Sequence, residues 1–259
     1  MDTKPASNNQ VKQWKKLLMG KYRKKENKFL AEGFRCVEQI HQNGRVIIEE
    51  LLVAENALSQ LDDWQTDALV YTLSNDDFIS VSDTENPQGV IAVCNTPPEA
   101  ELSKLSEQNS GLIAAFDAVQ DPGNMGTMIR TASWFGVTTL IFGTGCVDPF
   151  HPKVVRSTAG ATGFIPYVKG NLSEIFKELE TQNWTVNLLD GSGSAIRLQE
   201  TSFDDKSVIV VGNEGSGIQE KLFSQNRKKI KIDGNPEIVE SLNAAVAFSI
   251  AVHHAKLNI

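Results

Sequence analysis

The sequence predicts an α/β protein in two parts: a small α/β module over residues 1–98, a linker at 99–110, and a larger domain with a largely parallel sheet over 111–259. Three observations carry that expectation. Short apolar runs alternate with helix-period stretches throughout the second part, the pattern of strands buried beneath helices. Residues 95–111 are polar, hold the pair Pro97-Pro98 and show little strand character. A length of 259 residues at 41% hydrophobic supplies apolar side chains for one large core or two smaller ones.

In the first module, residues 1–9 read as a mobile start and 12–19 as a lysine-rich helix. Phe29-Leu30-Ala31 is a short strand. The helical period of 35–42 stops at Gly44, and 47–53 follows as a strand. Residues 68–73 and 90–94 are further strands, with a short helix at 75–81 between them. Residues 102–105 can form a short helix within the linker. Beyond it, strands are expected at 112–119, 139–142, 185–189, 208–211 and 230–232. Helices are expected at 125–135, stopped by Gly136, and at 172–182. The last helix, 242–257, is apolar on nearly every side and slimmed by Ala244, Ala245, Ala247 and Ser249. Such a helix is buried on more than one face, in the core or against a second chain.

No run approaches the roughly 18 apolar residues needed to cross a bilayer, and the polar, lysine-rich start is unlike a secretion signal. Cys36, Cys94 and Cys146 are odd in number and far apart, which points to reduced thiols in a cytoplasmic protein and away from a disulfide framework or a zinc site. The histidines offer no metal spacing, so no metal is expected. A net charge of −7 argues against a polyanion partner when taken whole. Its distribution argues otherwise: residues 1–40 carry ten Lys/Arg against four Asp/Glu, and residues 41–110 carry two against thirteen. Polyanion binding follows the local field, so Lys12, Lys15, Lys16, Lys21, Arg23, Lys24, Lys25 and Lys28 are candidate contacts, on a basic helix 12–28 with Trp14 and Tyr22 as stacking groups. Composition alone equally allows a solvated helix face.

Familiar nucleotide signatures are absent. There is no GxxxxGK[ST], and Asp148 stands where the third glycine of a GxGxxG beginning at Gly143 would be. Gly191-Ser-Gly193 lacks a third glycine and reads as a plain loop, and no GxSxG elbow occurs.

Three other segments stand out. In the first, a strand ends near Asp117, a Pro-Gly turn follows, and Asn124 is placed to cap a helix that carries Arg130 among Met128, Ile129 and Ala132. In the second, a buried strand runs into Gly212-Asn213-Glu214-Gly215-Ser216-Gly217, whose glycines let backbone approach a ligand at a strand's carboxyl end. In the third, a strand ending at Ile232 leads by a loop to the apolar helix, with Ser241 as N-cap and Asn243 in the first turn. Taken singly, these could be a cap, a tight turn with a solvated glutamate, and another cap.

As an ordered set they read NxGxxxRTA, GNEGxG and ESLNAAVA, and they resemble the motifs of the SpoU/TrmH family of RNA ribose methyltransferases, in the SPOUT superfamily. The first module is similar, more loosely, to that family's RNA-substrate-binding domain, through residues 28–33 and Pro87-Gln88-Gly89-Val90. The resemblance implies a parallel sheet whose C-terminal part forms a deep trefoil knot, a homodimer packed through the knot region, and S-adenosyl-L-methionine as cofactor. It implies cofactor contacts at Gly212, Glu214, Gly215, Ile232, Leu242 and Asn243, and a catalytic set of Arg130, Asn124, Glu214, Ser241 and Asn243. The implied partner is RNA, ribosomal in preference to transfer RNA, held by the lysine-rich residues above.

A ribose 2′-hydroxyl is a poor nucleophile near neutral pH, so the site must accept its proton or stabilise the developing oxyanion. No histidine lies in the motifs, and an arginine is held protonated. Arg130 is therefore expected to orient the hydroxyl and stabilise its oxyanion, with the base left open. Two rivals stand beside this reading. One is a non-catalytic RNA-binding or ribosome-assembly protein that retains the fold; the other is a related enzyme that methylates a base.

Overall fold

Alternating strand and helix run the length of the computed structural model, which describes residues 3–61, 64–106, 109–191, 194–235 and 237–258. The chain begins with β1 (Thr3–Pro5), α1 (Asn8–Lys16), α2 (Gly20–Glu26), β2 (Lys28–Glu32), α3 (Phe34–Asn43), β3 (Ile48–Ala54), β4 (Leu69–Leu73), α4 (Asn75–Val81) and β5 (Val90–Asn95). Next come α5 (Leu102–Ser106), β6 (Gly111–Phe116), α6 (Pro122–Trp134), β7 (Thr139–Gly143), α7 (Pro152–Ser157) and β8 (Tyr167–Gly170). It ends with α8 (Leu172–Thr181), β9 (Thr185–Leu189), β10 (Ile196–Arg197), β11 (Lys206–Val211), β12 (Lys228–Lys231) and α9 (Ala244–Asn258). These divide into two compact units, Met1–Pro97 with Asp148–Phe164, and Pro98–Val147 with Ile165–Ile259.

The first unit is built on a mixed sheet of order β1-β4-β3-β5-β2, in which β5 runs antiparallel to β2 and β3. Phe29, Leu51, Leu52 and Ile91 form its fully buried centre. Residues 3–9, expected to be mobile, are held: Thr3–Pro5 pairs in parallel with β4, and Ser7 caps α1 in a reciprocal box with Gln10. Pro5 is tolerated because β1 is an edge strand. The basic stretch 12–28 is not one helix. It ends at Lys16, resumes from extended Met19 as α2, and turns through left-handed Asn27 (φ 50°) into β2.

Residues 148–164, assigned by the sequence reading to the downstream domain, pack with this first unit. Asp148 receives Arg23, and Val155 O lies 3.8 Å from Cys36 Sγ. Asn43 Nδ2 donates to Gly160 O at 3.0 Å, and a Cβ on Gly160 would sit 2.4 Å from Gln39. Only glycine, here at φ +94°, fits that approach. The segment enters and leaves between β7 and β8, so sequence continuity with the second unit hides its packing.

The second unit carries a sheet of order β10-β12-β9-β11-β6-β7-β8, parallel in every pairing. Central β11 is buried along Ser207–Val211, as a strand covered on both faces must be. On one side, α8 buries Ile175, Phe176 and Leu179 against Val186, Leu188 and Val208. The expected linker is partly docked there: Leu105 joins this cluster and Ala100 N donates to Tyr167 O at 2.8 Å. Residues 107 and 108 of that stretch, and 192 and 193 of the Gly-Ser loop, lie outside the described residues. Helix α9 buries Ala245, Phe248, Ala251, Val252 and Ala255, while Val246, Ile250 and Leu257 are exposed on the single chain. Thr131 Oγ1 and Ser249 Oγ, 3.1 Å apart, join α6 to α9. Parallel register brings the carboxyl ends of β6, β11, β9 and β12 to one edge of the sheet.

Candidate active site

At that edge β6 stops at Phe116, three residues sooner than its apolar run, because Ala118 turns left-handed (φ 52°). Asp121, not Asn124, caps α6: its Oδ1 accepts from Asn124 N at 2.7 Å, and Pro122 takes the first helical position. The Asn124 side chain is thereby left for tertiary contacts. Its Nδ2 donates to Glu214 Oε1 at 3.2 Å, and its Oδ1 accepts from Asn243 Nδ2 at 2.9 Å.

The loop after β11 closes on itself. Asn213 N donates to Gly217 O at 3.0 Å and Gly217 N returns to Asn213 O at 2.9 Å. Gly212 is required, since a Cβ there would lie 2.3 Å from Gly217 C. Asn213 Oδ1 accepts from Gly215 N and Ser216 N, both at 3.0 Å, and its Nδ2 donates to Ala118 O at 2.9 Å. Gly215 has room: an added Cβ would meet only Asn213 Oδ1, at 3.7 Å.

Glu214 bonds the loop to the start of α6. Gln120 N donates to its Oε2 at 3.2 Å and Asp121 N to its Oε1 at 3.1 Å, beside the Asn124 bond. Burial pushes this carboxyl up, but its own N–H, Asn124, Gln120 and Asp121 together outweigh that and hold it below the ordinary glutamate value. It is an ionised acceptor near neutrality and a weak base.

Asn243, expected in the first turn of α9, is its cap: Oδ1 accepts from Ala245 N at 2.9 Å and Val246 N at 3.3 Å. Ser241, expected in that role, lies exposed two residues earlier, and Leu242 beside it is exposed as well. The helix starts later than its apolar pattern because Asn243 is fixed from its other end by Asn124. Ile232 follows the last residue of β12 at the same sheet edge. Arg130, expected in an apolar setting, is exposed, its neighbours Met128, Ile129 and Ala132 facing the core. It stands six residues beyond Asn124 on α6, about 9 Å along the axis and about 120° around it. Asn124, Glu214 and Asn243 are thus joined by bonds, and Arg130 and Ser241 stand outside that chain. No group of acidic, His or Cys side chains able to hold a metal occurs among the described residues.

In the first unit Lys12, Lys15, Lys16, Lys21, Lys24 and Lys25 are exposed on α1 and α2. Tyr22 lies beneath Lys16 and Lys21, with its ring centroid 5.7 and 5.3 Å from their Nζ atoms. Arg23, expected among these exposed cations, is instead 4% exposed, with Nη2 2.7 Å from Asp148 Oδ2 and Nη1 2.9 Å from the carbonyls of Leu17 and Leu18. Its guanidinium ties the α1–α2 turn and is turned away from solvent. Trp14 is likewise buried, donating to Glu50 at 2.7 Å and packing on Tyr71, and Lys28 is engaged by Glu49. Periodicity could not show these, because each partner is distant in sequence. The three thiols are unpaired. Burial pushes Cys36 and Cys146 up to about 11, and Cys94 higher still, so none is a ready nucleophile.

The donor set fits S-adenosylmethionine. An open backbone at Gly215 and the ends of β11 and β12, about 10 Å apart with β9 between them, offer the neutral main-chain edge that an adenosine takes. Comparison with known proteins agrees. Residues 111–253 match the SpoU rRNA Methylase family, and residues 8–92 match the MRM3-like substrate binding domain. The chain is 37% identical over 255 residues, 97% of each protein, to the 23S rRNA (guanosine(2553)-2'-O)-methyltransferase RlmP of Bacillus subtilis. A solved TrmH-family structure from Porphyromonas gingivalis superposes with a TM-score of 0.81 at 31% identity, covering 97% of this chain and 98% of that one. An AdoMet-bound rRNA methyltransferase from Sinorhizobium meliloti, at 24% identity, has the same fold, with a TM-score of 0.85 over 100% and 98% of the two chains. With its three motifs gathered at one sheet edge, the chain belongs to the SpoU rRNA methylase family, as an S-adenosylmethionine-dependent RNA methyltransferase.

Proposed function

We propose that this protein transfers the methyl group of S-adenosylmethionine to a ribose 2′-hydroxyl of ribosomal RNA in the cytoplasm, through a site built on Asn124, Arg130, Glu214, Ser241 and Asn243. The observation that carries this reading is the bonded chain Asn243–Asn124–Glu214, which unites one residue from each motif. The Bacillus subtilis relative, named for a 2′-O-methylation of 23S rRNA and matched end to end, supports ribosomal RNA as the substrate class.

When bound, the cofactor supplies an electrophilic methyl on a sulfonium, which needs no metal to activate it. The chain's own residues do the rest. Gly212, Glu214, Gly215, Ile232, Leu242 and Asn243 hold the cofactor at the sheet edge. Glu214, ionised and fully engaged, fixes the loop and takes no proton. Arg130 orients the 2′-hydroxyl and stabilises its oxyanion as the proton departs. The exposed lysines of α1 and α2 hold RNA phosphates.

The protein acts as a homodimer. Leu242, Val246, Ile250 and Leu257 form a stripe along α9 and its approach that one chain leaves exposed, and Trp134 on α6 is 84% exposed. Arg130 is one helical turn from Trp134, so a second copy seated on this stripe would lie beside the catalytic arginine. The late strands and α9 are threaded as the trefoil knot of the family. Calorimetry with S-adenosylmethionine, followed by mapping of 2′-O-methyl sites in ribosomal RNA with and without the protein, tests the assignment. Cofactor binding without a new 2′-O-methyl group would leave the base-methylating or assembly-factor reading in its place.

A further inference from the structure

Asp117 belongs to none of the three motif patterns by its chemistry, yet it is 1% exposed at the end of β6, with no cation among its hydrogen-bond partners in the described residues. A carboxylate so deeply buried must be satisfied by donors. Gln219 supplies two of them: its backbone N donates to Asp117 Oδ2 at 2.7 Å, and its Nε2 donates to Asp117 Oδ1. The backbone N–H of Asp117 donates in turn to Val211 O at 2.9 Å. Val211 is the last residue before the loop 212–218 and Gln219 the first after it. Asp117 therefore grips the loop at its entry by backbone and at its exit by side chain.

We propose that Asp117 and Gln219 form a clasp that sets the shape of loop 212–218 for the cofactor, making both positioning residues for methyl transfer. This rests on the reading of that loop as the cofactor site. Within the loop, Asn213 and Glu214 are fixed to Ala118, Gln120 and Asp121, immediately after Asp117. The clasp holds the two ends at the spacing those inner bonds require. Release of the exit would leave the loop held only by the paired backbone bonds of Asn213 and Gly217 and the inner bonds of Asn213 and Glu214, so that Gly215 and Glu214 are less firmly kept at the sheet edge.

The pair can be exchanged. In Asp117→Asn, one of the two acceptor oxygens becomes an NH2, which Gln219 can meet by turning its amide over to present Oε1. In Gln219→Glu, two carboxylates meet at a buried point. In the double variant, the amide introduced at position 117 can donate through its NH2 to the carboxylate introduced at position 219. Its oxygen can still accept from the backbone N–H at 219, so both bonds return with the side-chain roles reversed. Gln219→Glu is expected to lose S-adenosylmethionine affinity about tenfold by calorimetry, with the KM for RNA within about twofold of wild type, and Asp117→Asn to stay within about threefold. The double variant should recover to within about threefold of wild type. Gln219→Ala, which leaves the backbone bond, should lose about threefold and covers the case in which Gln219→Glu does not fold.

Thermal melts identify the folded variants. A folded Gln219→Glu with wild-type cofactor affinity (or Gln219→Ala with wild-type affinity where Gln219→Glu does not fold), or a folded double variant no better than Gln219→Glu, would overturn the clasp. Gly215→Val separates this from failure of the site itself. If Gly215→Val binds the cofactor as wild type does, the loop is not the cofactor site. If it loses binding while the clasp variants do not, only the clasp fails.

Discussion

Asn243 Nδ2 donates to Asn124 Oδ1 at 2.9 Å, joining residues 119 positions apart. The direction of this bond is forced from both ends. Glu214 is ionised and can only accept, so Asn124 must turn its NH2 to Glu214 and its oxygen to Asn243. Asn243 must in turn spend its own oxygen on the N–H groups of Ala245 and Val246. One chain of polar groups thereby links the start of α9, the start of α6 and the glycine loop.

This dual role of Asn243 can be split. The carboxylate introduced by Asn243→Asp still caps α9 and suits the helix dipole, but it faces Asn124 Oδ1 with no proton to donate. The melting temperature of this variant should stay within about 3 °C of wild type while single-turnover methylation falls about tenfold or more. Asn243→Ala should lose both, with a stability cost of about 1 kcal/mol. An Asn243→Asp enzyme with wild-type turnover would remove the relay from the mechanism.

Arg130→Ala should keep cofactor affinity within about twofold and lower kcat by about 10²–10³, the range seen when one oxyanion donor is removed. Arg130→Lys keeps the charge but not the planar fork, and should recover only part of that loss. Cofactor calorimetry beside single-turnover rates distinguishes this from a binding defect. Unimpaired transfer by Arg130→Ala would withdraw its assigned role.

Much of the second unit was legible because its signals are local. The apolar runs at 139–142, 185–189 and 208–211 are strands within two residues of their expected bounds. The glycine loop too was marked by composition, Gly212 being the one residue that fits against Gly217. What escaped was set by distant partners. Nothing near Arg23 in sequence distinguishes it from Lys24, yet Asp148 buries one and leaves the other in water. Short β8 and α7 lack the length for a period to emerge. Capping misled twice for one reason: Ser241 and Asn124 have the right chemistry for a cap, but tertiary bonds assigned the task to Asn243 and Asp121.

Glu214 gives the site a defined acid limit. Its folded value lies below the ordinary glutamate value, so its contribution is complete above the unfolded value and is lost as pH falls through the folded one. Cofactor affinity should be flat from neutrality down to the ordinary glutamate range and fall only below it. Glu214→Gln, which must turn an NH2 toward the N–H of either Gln120 or Asp121, should lose affinity across the whole range and lack that acid limb. An acid limb that persisted in Glu214→Gln would assign it to another group.

The first unit should not survive excision at its sequence boundary. A fragment ending at Pro97 lacks Asp148, so Arg23 is left buried with only the Leu17 and Leu18 carbonyls, and α3 loses the backbone of residues 155–160. It should melt lower than the same fragment with residues 148–164 appended by a flexible linker. Equal melting of the two would show that the segment contributes nothing to the unit.

The basic face and Arg23 should respond in opposite ways. Neutralising Lys12, Lys15 and Lys16 together should leave melting unchanged and reduce the slope of log affinity for RNA against log salt by about 2, at about 0.7 per phosphate contact on a single strand. Arg23→Ala should leave that slope unchanged, because the side chain is buried against Asp148. It should instead cost about 2–3 kcal/mol of stability, less than the ~3–5 of a fully buried pair because Asp148 is still 24% exposed. RNA binding titrated at several salt concentrations, beside a denaturant melt, reads both quantities on the same protein. A changed salt slope with unchanged stability in Arg23→Ala would mean that Arg23 leaves Asp148 for a phosphate when RNA binds.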